Sequence, residues 1–406
     1  MAEVDYGQLE LASQLLRRQG DVHATKMSSY VRAECSLSSG DMGAVLRLFH
    51  PLNMVAVELG DRAFGLVGSL GKGSADAVDA CLESYIAADR ESFEFFSAMT
   101  SKLGGTPSKF DDPSGSGGTL GGAGSAADSS YGEGEPSAFE QIAGMPGDVG
   151  DIASGLYNDS VALGEGWAAG SSSVSERSDV SSYLVPPVTM TSEMDSLRWS
   201  AGPLLGGIDW IVEKLCGFSV LEDVIMKPLA GNWEEIDKAS IAWGHLSKGL
   251  TEMGSNYTGL PGMTTQSWTG ATAELFRAAM AAMGSAIAGL SYATDYVSGL
   301  VGTVATVSRL AASGIGAILN ALSVKLLRIA SAAALPVVGW LAAGLDAAVL
   351  VTQIFKWVKR IYALINLIVD AVSDFIDARG KLVDAAFIIE DLVEYVVRGA
   401  GRAVTA

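Results

Sequence analysis

Two apolar stripes on either side of a short connection constrain the fold of this chain more than any other feature. In each stripe, apolar residues recur at alternating steps of three and four, the spacing of a helix face that packs along a second helix. The first stripe consists of Ile236, Ala239, Trp243, Leu246, Leu250, Met253, Tyr257 and Leu260, and the second of Phe276, Met280, Met283, Ile287, Leu290, Thr294, Val297 and Val301. The connection contains Gly259, Pro261, Gly262 and Gly270, residue types that favour a loop. The pattern predicts an antiparallel helical hairpin with arms of about 25–30 residues.

The first hundred residues show a similar pattern. Their apolar stripes comprise Leu9, Ala12, Leu16, His23, Met27 and Tyr30, followed by Val45, Leu48, Leu52, Val55, Leu59, Ala63, Leu66 and Leu70. The turn-forming segment 36–43 separates the two stripes, so the sequence predicts helix, turn and helix. We expect Gly68, Gly71 and Gly73 to break or bend the second helix, because glycine is a poor helix former.

The segment 101–182 has a different composition. It is rich in Gly, Ser, Asp and Pro, and its three basic and twelve acidic residues give a net charge of −9. A segment so poor in aliphatic side chains buries too little apolar surface to offset the entropy of ordering. We therefore predict a disordered acidic linker here.

Apolar sequence dominates the remainder of the chain. After residue 301 it predicts helices near 303–334, 336–357, 358–378 and 381–398, with a boundary at Pro336. The predicted fold is all-α, with antiparallel helical hairpins or a bundle, an apolar C-terminal helical module and a long disordered linker. The predicted domains are 1–100, an N-terminal hairpin; 101–182, the linker; 183–300, the second hairpin; and 301–406, the apolar module.

Charge and reactive residues exclude several classes of function. A net charge of −19 repels the phosphates of nucleic acids. The cysteines and histidines show no metal-ligand or catalytic spacing, and we expect most of them to pack on buried faces of helices. They are Cys35, Cys81, Cys216, His23, His50 and His245. The sequence predicts no catalytic residues, no metal and no cofactor, and hence a non-enzymatic protein.

The segment from about Leu229 to Leu300 resembles the Trp-x-Gly helical-hairpin family of type VII secretion. It carries GNWEEIDKASIAWGHL in the first arm, SWTG in the turn and ATAELFRAAMAAM in the second arm. The stretch 200–400 is similar to the N-terminal regions of secreted polymorphic toxins of Gram-positive bacteria. In those proteins a toxin domain often follows, whereas this sequence ends at Ala406. A non-enzymatic role is therefore expected, and the resemblance implies a virulence or interbacterial effector.

A short motif in the first hairpin also matches this family. Tyr85 and Asp89 fit the Tyr-x-x-x-Asp export motif near the end of a helical hairpin, on one helix face. Two other pairs, Tyr6 with Glu10 and Tyr131 with Glu135, have the same spacing but not that position. The resemblance thus implies four export or recognition determinants: Tyr85, Asp89, Trp268 and Gly270.

In this family the two halves of the signal often come from two partner chains. We hypothesise that this chain carries both halves and that its hairpins dock as one four-helix bundle, because a single hairpin leaves half of its apolar stripe exposed to water. Trp268 then has two interpretations. It is a recognition residue exposed at the tip of the bundle, an aromatic plug beside a left-handed turn at Gly270, or both.

The resemblance further implies a secretion substrate or a secretion-associated scaffold that acts through helix-bundle association. Expected partners are a helical-hairpin partner protein or chaperone, the type VII export ATPase and further copies of the chain. The N-terminus lacks the basic and apolar regions of a signal peptide. We therefore expect synthesis in the cytoplasm and export to the medium or the cell envelope by a leaderless route.

A membrane-active protein is the main alternative. The 17 residues 329–345 carry no charge, and the helices 329–355 and 361–376 would form either a membrane hairpin or a buried pair. In the first case a lipid interface would be contacted by Lys356, Trp357, Lys359 and Arg360. A purely structural oligomer is a third interpretation.

Overall fold

The computed structural model describes residues 4–38, 40, 43–102, 109–133, 173–188, 209, 212–213, 216–332 and 351–375. These residues form helices joined by loops, and within them the only β-type pairing is two isolated bridges. The predicted all-α class is confirmed.

The first hairpin consists of a composite helix and one long helix. Helix α1 spans Tyr6–Arg17, a π-helical segment follows over Arg18–Ala24, and α2 continues over Thr25–Glu34. The Asp5 side chain accepts a hydrogen bond from the Gln8 backbone N–H at 3.2 Å and thereby caps α1. Helix α3 then spans Ala44–Lys102 and packs along all three segments.

The expected helix break at Gly68, Gly71 and Gly73 is wrong, because α3 continues through all three residues. Two of these glycines lie where helices approach closely. A Cβ atom on Gly71 would lie 2.9 Å from the Gly20 Cα and 2.8 Å from the Tyr257 hydroxyl oxygen. Burial of the helix therefore overrides the low helix propensity of glycine, and the missing side chain permits the contact.

The second hairpin is formed by α5, Glu234–Thr264, and α6, Ala271–Ala332. A π-helical turn over Val220–Met226 and the short helix α4, Lys227–Leu229, precede it. Both predicted stripes face inward: every residue in them is buried except Phe276, which is partly buried. The expected loop was too long, since Gly259, Pro261 and Gly262 belong to α5 and the connection is 265–270.

Two expected helix boundaries in the C-terminal part are also wrong. Helix α6 passes without interruption through residues 300–303, and the helix α7, residues 351–375, passes through 357–358. Continuous apolar faces hold both helices against the bundle: the Phe375 ring lies 5.2 Å from that of Phe49. Pro336, most of the uncharged run 329–345 and the predicted helix 381–398 lie outside the described residues.

The two hairpins share one core. The Trp243 indole of α5 is 1% exposed, and a Cβ atom added to Gly60 of α3 would lie 2.9 Å from it and 3.3 Å from Val31 of α2. Tyr257 of α5 similarly lies where Gly20 and Gly71 meet. Docking therefore covers the stripe that each hairpin would leave exposed to water by itself.

Candidate recognition site at the hairpin tip

The end of α3 and the turn between α5 and α6 meet at one tip of the bundle. The Trp268 Nε1–H donates a hydrogen bond to the Tyr85 hydroxyl oxygen at 3.3 Å. Tyr85 is partly buried, and Asp89, one helical turn further along α3, is exposed. The fold thus brings together Tyr85, Asp89, Trp268 and Gly270, which belong to two hairpins far apart in sequence.

Gly270 ends the turn in a conformation that favours glycine. Its φ angle is 110°, in the region that L side chains rarely adopt. Its carbonyl oxygen accepts the Glu274 N–H at 3.1 Å, which starts α6, while the Trp268 N–H donates to the Thr264 carbonyl at 3.0 Å and extends the end of α5. The glycine is therefore explained by backbone geometry.

The interpretation of Trp268 as an exposed recognition residue is wrong, because its side chain is only 2% exposed. The indole packs against the Phe276 ring, with centroids 5.2 Å apart. Burial of so large an apolar group is favourable provided that its N–H finds a partner, which Tyr85 supplies. Asp89 and Leu275 are exposed at this tip, Leu275 being 64% exposed, as are Gln266, Thr272 and Glu274.

Arg277 supports the turn and was missed by the sequence analysis. Its side chain is buried, and its guanidinium donates to the carbonyl oxygens of Trp268 and, at 3.4 Å, Thr264. A further bond of 2.6 Å reaches Glu274. The cation thus satisfies the Trp268 carbonyl and is a second donor to the Thr264 carbonyl, which already accepts the Trp268 N–H. An arginine beside an apolar stripe was the available signal, but its partners follow only from the turn.

The N-terminal residues also reach the tip. Val4 forms an antiparallel bridge with Trp268, and the Asp5 N–H donates to the Ser267 carbonyl at 2.7 Å. The Tyr6 hydroxyl donates to the Asp89 carboxylate. Burial, followed by the hydrogen bond and the negative charge of Asp89, raises the pKa of Tyr6 to about 12. Tyr6 and Glu10 have the spacing of the export motif but not its position in the hairpin. Tyr6 nevertheless contributes its hydroxyl group to the same cluster.

Parts of the predicted linker are bound to the bundle. Residues 173–185, here called the strap, connect α1 and α2 to α5. The Asn256 side chain accepts from the backbone N–H groups of Arg177 at 2.9 Å and Ser178 at 3.0 Å, and donates to the Ser178 carbonyl at 2.9 Å. The predicted disorder of the linker is therefore wrong for residues 173–182. The Asn256 side-chain amide satisfies the backbone groups of the strap, as a neighbouring strand would.

A second part of the predicted linker, residues 109–133, follows α1. The Gln14 side chain accepts from the Leu120 N–H and donates to the Gly118 carbonyl, both at 2.8 Å. Ser125 then forms a parallel bridge with Ser178 of the strap. Residues 103–108 and 134–172 of the predicted linker lie outside the described residues.

A buried polar cluster fixes the strap to the first hairpin. The Glu176 carboxylate is 3% exposed and accepts from Arg18 at 2.7 Å and Gln19 at 2.9 Å, with His23 Nε2 at 2.8 Å. Burial raises the pKa of this carboxyl group, but the bonds from His23, Arg18 and Gln19 outweigh it, and the pKa is lowered overall. Sequence spacing could not reveal the pair, because His23 and Glu176 lie 153 positions apart.

The same cluster contains a serine beside the histidine. Ser181 Oγ lies 2.9 Å from His23 Nδ1, so that serine, histidine and carboxylate follow one another. The nearby amides are engaged: the Ser181 N–H donates to the Asp179 side chain at 2.9 Å and the Ser182 N–H to its carbonyl at 3.2 Å. A serine hydrolase needs free backbone N–H groups beside the serine to bind a developing oxyanion, and neither of these two is free. We therefore interpret the contacts as the attachment of the strap.

The residues assigned to a membrane interface lie on α7. Lys356, Lys359 and Arg360 are exposed, and Trp357 is partly buried against the core. Helix α7 contacts Phe49 near the start of α3, and Tyr85 lies 36 residues further along that helix. At 1.5 Å per residue this is about 54 Å. Leu364, four residues beyond Arg360, lies beside Gly314 of α6, which is 46 residues beyond Trp268, so the two sets of predicted residues form separate sites.

Comparison with known proteins adds nothing to this geometry: no family model, curated protein or solved structure matches the chain. Within the described part of the chain, no group of three acidic, histidine or cysteine side chains is arranged to hold a metal ion. The tip is therefore characterised by its own contacts.

Proposed function

We propose that this chain is a non-enzymatic type VII secretion substrate or secretion-associated scaffold that carries a complete recognition signal at one folded tip. The hydrogen bond from Trp268 to Tyr85 is the observation that supports this proposal most directly. It joins the half of the signal on the first hairpin to the half on the second. In the family that the sequence resembles, these halves often belong to two partner chains.

In this proposal Trp268 does not contact the receptor but positions Tyr85. The buried indole and the Gly270 turn hold the Tyr85 hydroxyl at the tip, and Asp89 is presented to solvent one turn along α3. A receptor that reads one helix face could bind both side chains, because residues four apart are neighbours on a helix surface. The expected receptor is the type VII export ATPase.

Docking within the chain bears on its other partners. The second hairpin covers the apolar face of the first. In a two-chain complex a partner chain would bury that face instead. The bundle would then leave the cell folded, for the medium or the cell envelope. A chaperone or a further copy of the chain would bind outside this shared core.

A secretion assay in the native host tests the proposal. We expect Tyr85→Ala and Trp268→Ala each to reduce the ratio of external to cellular protein by about tenfold or more, since 1.4 kcal/mol of lost recognition corresponds to a factor of ten. Tyr85→Phe removes only the hydroxyl that accepts the indole N–H. The matched control is Tyr292→Phe, which removes an exposed hydroxyl on α6, 24 residues beyond Trp268.

Thermal unfolding separates loss of recognition from loss of fold. Tyr85→Phe should unfold at nearly the wild-type temperature and still be exported poorly. Wild-type export of Tyr85→Phe, Tyr85→Ala and Trp268→Ala together would refute the proposal.

Membrane contact through α7 is a second candidate function. This helix exposes apolar or aromatic side chains beside its basic ones: Phe355 is 50%, Tyr362 45% and Leu367 52% exposed. Such a face suits the surface of an anionic bilayer. One described helix, Ala271–Leu319 within α6, is long enough to cross a membrane and contains an 18-residue window of mean hydropathy 1.3, of which 44% is buried in the bundle. Core helices of water-soluble proteins share these properties.

Vesicle flotation tests this candidate. The intact protein should float with anionic vesicles and remain behind with neutral ones. A variant with Lys356, Lys359 and Arg360 all changed to Glu should lose that binding. Equal flotation of this variant and the wild type would contradict the role of α7.

A further inference from the structure

The N-terminal residues 4–6, here called the clip, contact all the elements that meet at the tip. Val4 bridges to Trp268, and Asp5 bonds to Ser267, so the clip pairs with the main chain of the turn. Tyr6 reaches across to Asp89 on α3. The clip thus links the start of α1, the end of α3 and the turn of the second hairpin.

The path of the clip is fixed from both sides. Asp5 caps α1 through its side chain, which accepts the Gln8 N–H, while its own N–H is bound by the turn. One residue therefore starts the first helix and attaches it to the second hairpin. Tyr6 follows immediately, in the first turn of α1, so little freedom remains in the position of its ring.

Asp89 is the side chain that this arrangement constrains. It lies on an exposed face of α3, where a carboxylate without a partner would sample several rotamers. The Tyr6 hydroxyl holds its Oδ2 atom, and Oδ1 makes no hydrogen bond or ion pair with any described residue. The carboxylate consequently offers one oxygen from a fixed position, which suits an arginine or lysine side chain on a receptor.

We propose that the clip is a third part of the recognition signal and that Tyr6 is a positioning residue, which orients Asp89 for a cationic group on the export receptor. This inference rests on the proposed function. The signal would then consist of three segments distant in sequence: the clip, the Tyr85 and Asp89 turn of α3, and the Trp268 turn. It would be readable only when both hairpins are docked and the clip is in place.

Tyr6→Phe in the full chain tests the role of the hydroxyl, because it keeps the ring and removes only the bond to Asp89. We expect export, measured as above, to fall by about threefold to tenfold, as for the loss of one ordinary hydrogen bond at an exposed site. The melting temperature should change little. Tyr292→Phe, again the control, should be exported like the wild type.

A double-mutant cycle distinguishes positioning from a general structural effect. Asp89→Asn alone should reduce export, and Tyr6→Phe should then have no further effect in that background. Additive losses would mean that Tyr6 does not act through Asp89, and would overturn the inference.

The phenol titration gives an independent readout. With ¹³C at Cζ of tyrosine, the Tyr6 signal should titrate near pH 12 in the wild type and at lower pH in Asp89→Asn, because the neighbouring negative charge is lost. A Tyr6 titration that is the same in both proteins would also overturn the inference.

Failure of this inference can be told apart from failure of the proposed function. If Tyr6→Phe is exported normally while Tyr85→Ala and Trp268→Ala are not, the clip has no role in recognition and the proposed function stands. If all three are exported normally, both fall.

Discussion

The carboxylate of Glu176 shows how much one side chain can determine in this fold. It comes from a segment whose composition predicts disorder, yet it lies buried among Arg18, Gln19 and His23. A buried carboxylate is tolerated only when charged or polar donors surround it. The strap is therefore held at a site whose stability depends on the ionised form of Glu176.

This site predicts a specific dependence on pH. The pKa of Glu176 is lower in the folded protein than its ordinary value of 4.5. Its contribution is thus complete above about pH 4.5 and is lost as the pH falls through the folded pKa. We expect Glu176→Gln to lower the free energy of unfolding by about 1–3 kcal/mol at pH 7, and by progressively less on acidification. Urea unfolding between pH 7 and 3 measures both effects.

The matched control is Glu133→Gln, which neutralises an exposed carboxylate in the other bound part of the predicted linker. It should unfold like the wild type at every pH. A difference between Glu176→Gln and the wild type that stays constant down to pH 3 would contradict the ionic role of Glu176.

At the scale of an element, the glycines of α3 have different functions despite being close in sequence. Gly71 lies against the Gly20 backbone, with a Cβ position 2.9 Å from the Gly20 Cα, whereas no atom comes within 4 Å of the Cβ position on Gly73. The first glycine sets the distance between helices. The second only weakens the helix, because glycine loses more conformational freedom on folding than alanine.

The two glycines should therefore respond in opposite directions to the same substitution. Gly71→Ala should destabilise the protein by about 1–3 kcal/mol, since the neighbouring backbone must move. Gly73→Ala should stabilise it by about 0.4–1 kcal/mol. Paired urea unfolding experiments measure the difference, and stabilisation by both substitutions would show that α3 is not in close contact with the π-helical segment Arg18–Ala24 at Gly71.

At the scale of the whole molecule, the strap joins the hairpins beside their shared core. The strap binds the first hairpin through Glu176. It binds the second hairpin through Asn256 of α5, whose side chain makes three hydrogen bonds to the backbone of the strap. Asn256 also donates to Gln19 of the first hairpin at 3.2 Å. A change at Asn256 should consequently loosen the strap more than it disturbs α5.

Native-state proteolysis measures this attachment. Arg177 is a trypsin site whose backbone N–H is bound by Asn256, so cleavage after it requires local opening of the strap. We expect Asn256→Ala to accelerate that cleavage by about tenfold or more, the factor that corresponds to 1.4 kcal/mol of local stability. Asn232→Ala, which removes an exposed side chain bonded to Glu235, is the control. Equal rates of cleavage in the two variants would contradict the attachment.

The sequence by itself determined the helical class, the two hairpins and the buried faces of α5, α6 and the composite first helix. In α3 the predicted stripe was wrong in part, since Leu48 is exposed and Val55 and Leu59 are only partly buried. Helix periodicity is a local property, so stripes such as Ile236 to Leu260 specify their buried face without knowledge of the partner. Their composition also indicated a turn at Trp268 and Gly270. The same local reasoning failed at Gly68, Gly71 and Pro261, where burial against other helices overrides intrinsic propensity.

Only the tertiary structure decided which distant groups meet. It buried the indole of Trp268 against Tyr85, brought Tyr6 to Asp89, and placed Glu176 beside His23. Such contacts join residues separated by tens to hundreds of positions, and their free energy depends on the geometry of the docked helices. Periodicity along the chain carries no record of that geometry, because it reports which face of a helix is buried and not what covers it.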